Sequence, residues 1–149
     1  MRETGSGLQL RGTPGGIMAG MATLEVTADN FNQTIEGNDI VLLDFWAEWC
    51  GPCRFFAPVF EKAAGANSDI VFGKIDTEAQ QELAAAFQIR SIPTLMAFRE
   101  NVLVFSQPGA LNGFQLDQVI EAVRELDMEE VHAKVAEQQK EADGAQAGN

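Results

Sequence analysis

Along the chain, apolar residues alternate between the spacing of a strand and that of a helix from Leu24 to about Leu126, an α/β rhythm. Residues 24–26 form a short strand candidate. Thr27 or Asp29 then offers an N-cap, Phe31 and Ile35 share one helix face, and Gly37 is placed to end that helix. Residues 40–46 are β-rich and almost continuously apolar, the pattern of a strand buried on both faces, so this strand is predicted to be central. A helix is predicted from Cys50 through about Ala66, entered through Gly51-Pro52 and kinked at Pro58. Residues 70–75 read as a second buried strand, and residues 78–87, rich in Ala, Gln and Leu, as another helix. Residues 94–98 and 102–105 flank Arg99, Glu100 and Asn101 as an antiparallel hairpin. Leu116, Val119, Ile120, Val123 and Leu126 then come at helical spacing behind Asn112 as a cap.

Both ends depart from this rhythm. Residues 1–20 contain Gly5, Gly7, Gly12, Gly15, Gly16 and Gly20 and no sustained periodicity, too little apolar surface to offset the entropy of ordering. They are expected to be a disordered expression remnant with no signal-peptide core, Met18 and Met21 both standing where a natural start would fit. The ordered domain is assigned to residues 21–126. Residues 127–149 are expected to be an acidic helical tail fraying to disorder, its weak stripe of Met128, Val131 and Val135 available to the domain or to a partner, and His132 solvated.

Composition narrows the functional classes. The 149 residues are enough for one domain with its own core, and the 46% hydrophobic content excludes a disordered chain. The richest apolar run, residues 40–47, is broken by Asp44 and falls far short of the roughly 20 residues of a membrane helix. With 10 Lys+Arg against 22 Asp+Glu, the formal net charge of -12 repels phosphate backbones and anionic headgroups. Neither nucleic acid nor a membrane is expected as a partner.

The candidate chemistry lies in the only two cysteines, Cys50 and Cys53. A closed zinc site needs four ligands, and the single histidine, His132, lies far off in the acidic tail, so no metal is expected. A permanent four-residue disulfide ring would constrain little of the unfolded chain. Dithiol–disulfide cycling remains. A strand leading into Cys50 and a helix after it set that thiol at a helix N-terminus, where unpaired N–H groups and the dipole favour thiolate. Cys50 is therefore the predicted nucleophile and Cys53, one turn inside, the resolving thiol. Pro52 fixes a backbone dihedral at a helix start, where it has no N–H to lose.

The run Val41-Leu42-Leu43-Asp44-Phe45-Trp46-Ala47-Glu48-Trp49-Cys50-Gly51-Pro52-Cys53-Arg54, followed by Ala57-Pro58, resembles the active-site block of the thioredoxin family, bacterial type. Arg90-Ser91-Ile92-Pro93-Thr94 resembles the family's proline loop, and Pro108-Gly109-Ala110 its third surface loop. The resemblance spans residues 23–126. It implies a thioredoxin fold, a central mixed β-sheet flanked by α-helices in a three-layer α/β/α arrangement. It also implies a disulfide reductase and electron carrier in cell redox homeostasis, needing no cofactor beyond its redox-active Cys50–Cys53 pair. Its partners would be a flavin-dependent thioredoxin reductase and oxidised proteins with accessible disulfides, and the chain a cytoplasmic monomer.

By position, Asp44 matches a buried carboxylate that assists proton transfer beneath the second cysteine, Lys74 the lysine beside it, and Ile92-Pro93 a cis peptide facing the sulfurs. Trp49, Ile92, Pro93, Gly109 and Ala110 would form the apolar surface that receives a peptide, with Gly51 and Pro52 completing the active-site loop. A buried Asp44 is ionised only at a cost and so exchanges a proton near neutral pH. The competing reading is a structural acid paired with Lys74. A rival function from another class is a client-binding, chaperone-like module without redox turnover, which would need neither the dithiol nor Asp44 and Pro93.

Overall fold

The computed structural model describes residues 22–147. The glycine-rich segment of residues 1–20 lies outside the described residues. The elements, in chain order, are β1 (Leu24–Glu25), α1 (Phe31–Glu36), β2 (Ile40–Trp46), α2 (Gly51–Ala66), β3 (Val71–Asp76), α3 (Gln81–Ala86), β4 (Thr94–Arg99), β5 (Val102–Pro108), α4 (Gly113–Arg124) and α5 (Met128–Ala147). The strands form one sheet in the order β1-β3-β2-β4-β5. β3 runs parallel to β1 and β2, whereas β4 is antiparallel to both β2 and β5.

The continuous apolar run becomes the middle strand, as its pattern required. From Ile40 to Phe45 every residue of β2 is buried. One face packs under α2 and α4, where Leu42, Phe56, Phe60, Phe72, Leu95, Leu116 and Ile120 share a core. The other packs beneath α1 and α3, with Val41, Leu43, Phe45, Ile75, Met96 and Phe98 buried among Phe31, Leu83 and Phe87. The strand is hydrogen-bonded along both edges and covered on both faces, so its C-terminal end is a fixed mount for the loop beyond it.

Local chemistry sets the element ends. Gly37 closes α1, whose cap position is held by Asn30, one residue beyond the expected Asp29. At the start of α4, Asn112 accepts from the Gln115 N–H while the Gln115 side chain accepts from the Asn112 N–H, a reciprocal capping box. α3 is only six residues long, shorter than its composition suggested, and buries no residue fully. Between β4 and β5, Glu100 and Asn101 both have positive φ, 49° and 69°, as a tight hairpin turn demands.

The acidic tail is attached through that turn. Arg99 donates to the carbonyls of Val123, Arg124 and Leu126 and so satisfies the end of α4. Met128 is buried, and His132, exposed as expected, also lies with its Nε2 2.7 Å from Glu100 Oε1. Val131 is half-buried, Val135 is exposed, and α5 is helical to Ala147.

Unfolding measurements test both the core and the tail. Gly73 in β3 leaves no room for a methyl group: a Cβ there would sit 2.6 Å from Val26 Cγ2 and 2.9 Å from Leu43 Cδ2. Gly73→Ala should cost about 1–3 kcal/mol in denaturant unfolding, the usual penalty of overpacking. Truncation after Asp127 should lower stability by roughly 1.5–3 kcal/mol, the value of burying one side chain of the Met128 kind, while the far-UV signal per residue of the remaining domain is kept.

Candidate functional site

The antiparallel pairing of β2 with β4 sets Phe45 opposite Thr94, which brings the loop leaving β2 against the loop entering β4. Cys50 is the N-cap of α2, with extended φ/ψ, and its Sγ accepts from the Cys53 N–H at 3.1 Å. The two thiols are joined as a disulfide with their Cα atoms 5.3 Å apart. Pro52 stands in the first turn of the helix, where its missing N–H is no loss.

Opposite the sulfurs lies the cis peptide Ile92-Pro93. Cys50 Sγ is 3.7 Å from the Ile92 carbonyl oxygen, and Ile92 packs against the small cluster of Ala47, Cys50 and Cys53. The Pro93 carbonyl in turn accepts from the Gly109 N–H at 2.8 Å, which ties the third loop to the second. Gly109 has φ +105°, a conformation that favours glycine. Ala110 is half-buried against the core beneath α2 and α4. Trp49 stands 65% exposed on the near side of the disulfide. Cys50, Cys53, Trp49, Gly51, Pro52, Ile92, Pro93, Gly109 and Ala110 thus come together at one end of the sheet.

The two thiols differ in setting more than in exposure, which is 4% for Cys50 and 3% for Cys53. Cys50 terminates the helix and faces the proline loop. Cys53 lines a cavity of about 240 Å³ with Trp46, Ala47, Ala57 and Lys74.

Asp44 lies beneath this arrangement in the middle of β2, fully buried, and neither carboxylate oxygen has a hydrogen-bond partner among the described residues. Burial pushes its pKa up to about 7, outweighing the positive charge of Lys74, which pulls the other way. Lys74 is the residue beside Asp44 in the β2–β3 register, yet no ion pair forms between them among the described residues, and its Nζ lies 5.1 Å from the centre of the Trp46 ring. That geometry disfavours a tightly paired structural acid.

Sequence reasoning missed two contacts. Trp49 Nε1 donates to Glu78 Oε2 at 3.4 Å, and Arg54 Nε donates to the Glu48 carbonyl at 3.2 Å. The first joins residues 29 apart in the chain. No local pattern marks it. Among the described residues no group of three or more His, Cys, Asp or Glu side chains is placed to hold a metal, and no helix is long and apolar enough to cross a membrane.

Comparison with known proteins agrees with this geometry. The Thioredoxin family model matches residues 22–122. The Streptomyces coelicolor protein named "Putative thioredoxin 2" is 63% identical over 121 residues, covering 81% of this chain and 90% of that protein. Among solved structures, a single-site mutant of the thioredoxin from Halobacterium salinarum superposes with a TM-score of 0.66 at 35% identity, covering 73% of this chain and 97% of that one. Plasmodium falciparum thioredoxin gives 0.63, also at 35% identity, covering 67% and 98%. With a five-stranded mixed sheet, helices on both faces and a Cys50–Cys53 pair at the cap of α2, the chain belongs to the thioredoxin family and is a dithiol–disulfide oxidoreductase of thioredoxin type.

Proposed function

We propose that Cys50 is the attacking thiolate and Cys53 the resolving thiol in the reduction of protein disulfides, with Asp44 as the proton acceptor that frees Cys53. The observation that carries this division of roles is the position of Cys50 Sγ at the N-cap of a 16-residue helix, where it accepts the Cys53 N–H. A charge-assisted hydrogen bond and the helix dipole both favour sulfur as an anion there.

The exchange balances in two steps. The Cys50 thiolate attacks one sulfur of the partner's disulfide, forming a mixed disulfide and releasing the other sulfur as thiolate. The Cys53 thiol then gives up its proton and attacks Cys50 Sγ, which releases the partner's second thiolate and leaves the Cys50–Cys53 disulfide. Two electrons pass to the partner. The proton must be accepted by a group whose pKa lies near the working pH, and Asp44, raised to about 7, meets that requirement. Lys74, lining the cavity beside Cys53 and next to Asp44 in register, would favour the anionic carboxylate when the proton leaves.

Trp49, Ile92, Pro93, Gly109 and Ala110 form the receiving surface in this reading, Trp49 being held by Glu78 and Gly109 by Pro93. The family implies a reductase and substrate proteins as partners. A flavin-dependent thioredoxin reductase, a monomeric state and a cytoplasmic setting complete the proposal, with residues 21–126 as the redox domain and the tail as an appendage to it. The direct experiment is insulin disulfide reduction coupled to nicotinamide consumption through a thioredoxin reductase. A client-binding module without turnover would show none.

Cys50→Ser is expected to abolish reduction, whereas Cys53→Ser should trap a mixed disulfide on Cys50, visible by mass spectrometry. A stable adduct on Cys53 in the Cys50→Ser protein, with none on Cys50 in the reverse variant, would exchange the two roles.

Asp44→Asn carries a pH signature. Because the folded pKa is raised from 3.8 to about 7, the folded state holds a proton there that the unfolded state releases. Wild-type stability therefore falls as pH rises from about 4 through 7, and the loss is complete above 7. The advantage of Asp44→Asn over wild type should accordingly grow across that window, reaching about 2–4 kcal/mol by pH 8 in paired denaturant melts. Its rate of reduction should drop and lose the ionisation near pH 7. A pH-independent stability difference with an unchanged pH–rate profile would leave Asp44 without a part in proton transfer.

A further inference from the structure

Among the described residues, three aromatic side chains stand exposed: Trp49 at 65%, Phe55 at 67% and Phe114 at 71%. Trp49 belongs to the receiving surface already described. The other two have no part in it, and they lie on the two helices that spring from the site. Phe55 is one turn into α2 beyond Pro52, while Phe114 is in the first turn of α4, just after the loop that carries Gly109 and Ala110.

On α2, Pro52, Phe55 and Val59 recur at spacings of three and four and so share one face, leading away from the sulfurs. That face runs into a groove of about 520 Å³ between α2 and α4. Val59, Ala63 and buried Leu116 line it beside the exposed Phe114, with Lys62 and Asp117 as its charged residues. Along the helix, Val59 lies roughly 12 Å beyond Gly51 and Lys62 roughly 17 Å. An extended chain covers that distance in about four to six residues.

We infer that this face is a second substrate contact, which takes an extended apolar segment of the oxidised partner protein on one side of its attacked sulfur. The argument for that occupant is continuity. The face of α2 shared by Pro52, Phe55 and Val59 leads from the disulfide loop to the groove, whose other wall is the start of α4, directly after the loop of Gly109 and Ala110. A partner held at Cys50 by one sulfur has its flanking chain beside this face without a further encounter, so apolar contact here adds to affinity at low entropic cost. The inference rests on the proposal that Cys50 attacks a protein disulfide at this end of the sheet. Phe55 and Phe114 would then set which disulfides are preferred, with no hand in the exchange itself.

The test uses the full-length protein, reduced beforehand and followed in single turnover. Its substrates are a series of disulfide peptides with one leucine moved along a polar flank, and hydroxyethyl disulfide as a reference with no flank. Wild type should prefer leucine about four to six residues from the attacked sulfur. In Phe55→Ser/Phe114→Ser the ratio of the best peptide's rate constant to that of hydroxyethyl disulfide should fall about five- to twentyfold, with the positional preference gone. Phe114→Leu, in the single variant, should keep most of it. Both aromatic side chains are largely exposed, and a matching thermal melt separates a folded variant from a failed one.

An unchanged ratio with no positional preference in wild type overturns the inference. So does a wild-type dimer in sedimentation that Phe114→Ser converts to monomer without changing the ratio, since a second copy would then be the occupant. Failure of the underlying mechanism gives a different result, namely a Cys50→Ser protein that still reduces hydroxyethyl disulfide.

Discussion

Everything in this molecule is arranged to keep β2 dry. Four sides of the strand need covering, two by hydrogen bonds to β3 and β4 and two by side chains, and the helices on either side exist in that arrangement because the residues from Ile40 to Phe45 are buried without exception. A strand held on all sides ends in a defined place. The chain leaves it at Trp46, whose carbonyl accepts from both the N–H and the hydroxyl of Thr77, and reaches the cap of α2, Cys50, four residues later. The cysteine at that junction needs no special device to become a helix cap. The position of the sulfur is a consequence of the burial of the strand.

Asp44 is the one polar residue in that dry run, and it is held there at a cost. A carboxylate with no hydrogen-bond partner in the middle of a sheet would be replaced by an apolar residue if stability alone were selected. Leu43 and Phe45, its neighbours, face the opposite side of the sheet, so Asp44 projects into the layer occupied by α2, the helix that also contains Cys53. Polar residues beneath a redox-active pair perturb both partners. The carboxylate destabilises the fold above neutral pH, and in the proposed mechanism the same ionisation is what lets it take up the proton of Cys53. One environment sets this balance, since desolvation raises the pKa and outweighs the opposing pull of Lys74.

The parts of this design that are local in sequence are legible in it. A near-continuous apolar run is buried on both faces because it offers almost nothing to water, and Gly51-Pro52 between two cysteines marks a helix start because proline loses no hydrogen bond in a first turn, whereas Pro58 stands inside α2. Asn112 shows itself as a cap by its chemistry. The hidden parts depend on residues far apart in the chain meeting in space. The Trp49–Glu78 contact joins residues 29 apart, and His132 meets Glu100 across 32. α3 is shorter than its composition suggests because alanine and glutamine favour helix in any setting, whereas the fold leaves it only six residues and no fully buried side chain to anchor more. The groove beside Phe114 has no sequence signature, because it is a property of how α4 lies against α2.

The acidity of the chain and the chemistry of the site are kept apart by the same sheet. α5 is fastened at the turn between β4 and β5, next to Arg99, which pairs with Ile40 at the start of β2, while the disulfide lies past the end of that strand. Seven residues of strand separate the two points, roughly 23 Å, against a screening length near 8 Å at physiological ionic strength. Charge on the docked first turn of α5 is therefore largely screened at the sulfurs. Around the disulfide, exposed Trp49 and Phe55 stand among the exposed charges of Glu48, Arg54 and Glu78. The net charge of -12 therefore acts on the exchange surface mainly through the charged side chains that stand beside the disulfide itself.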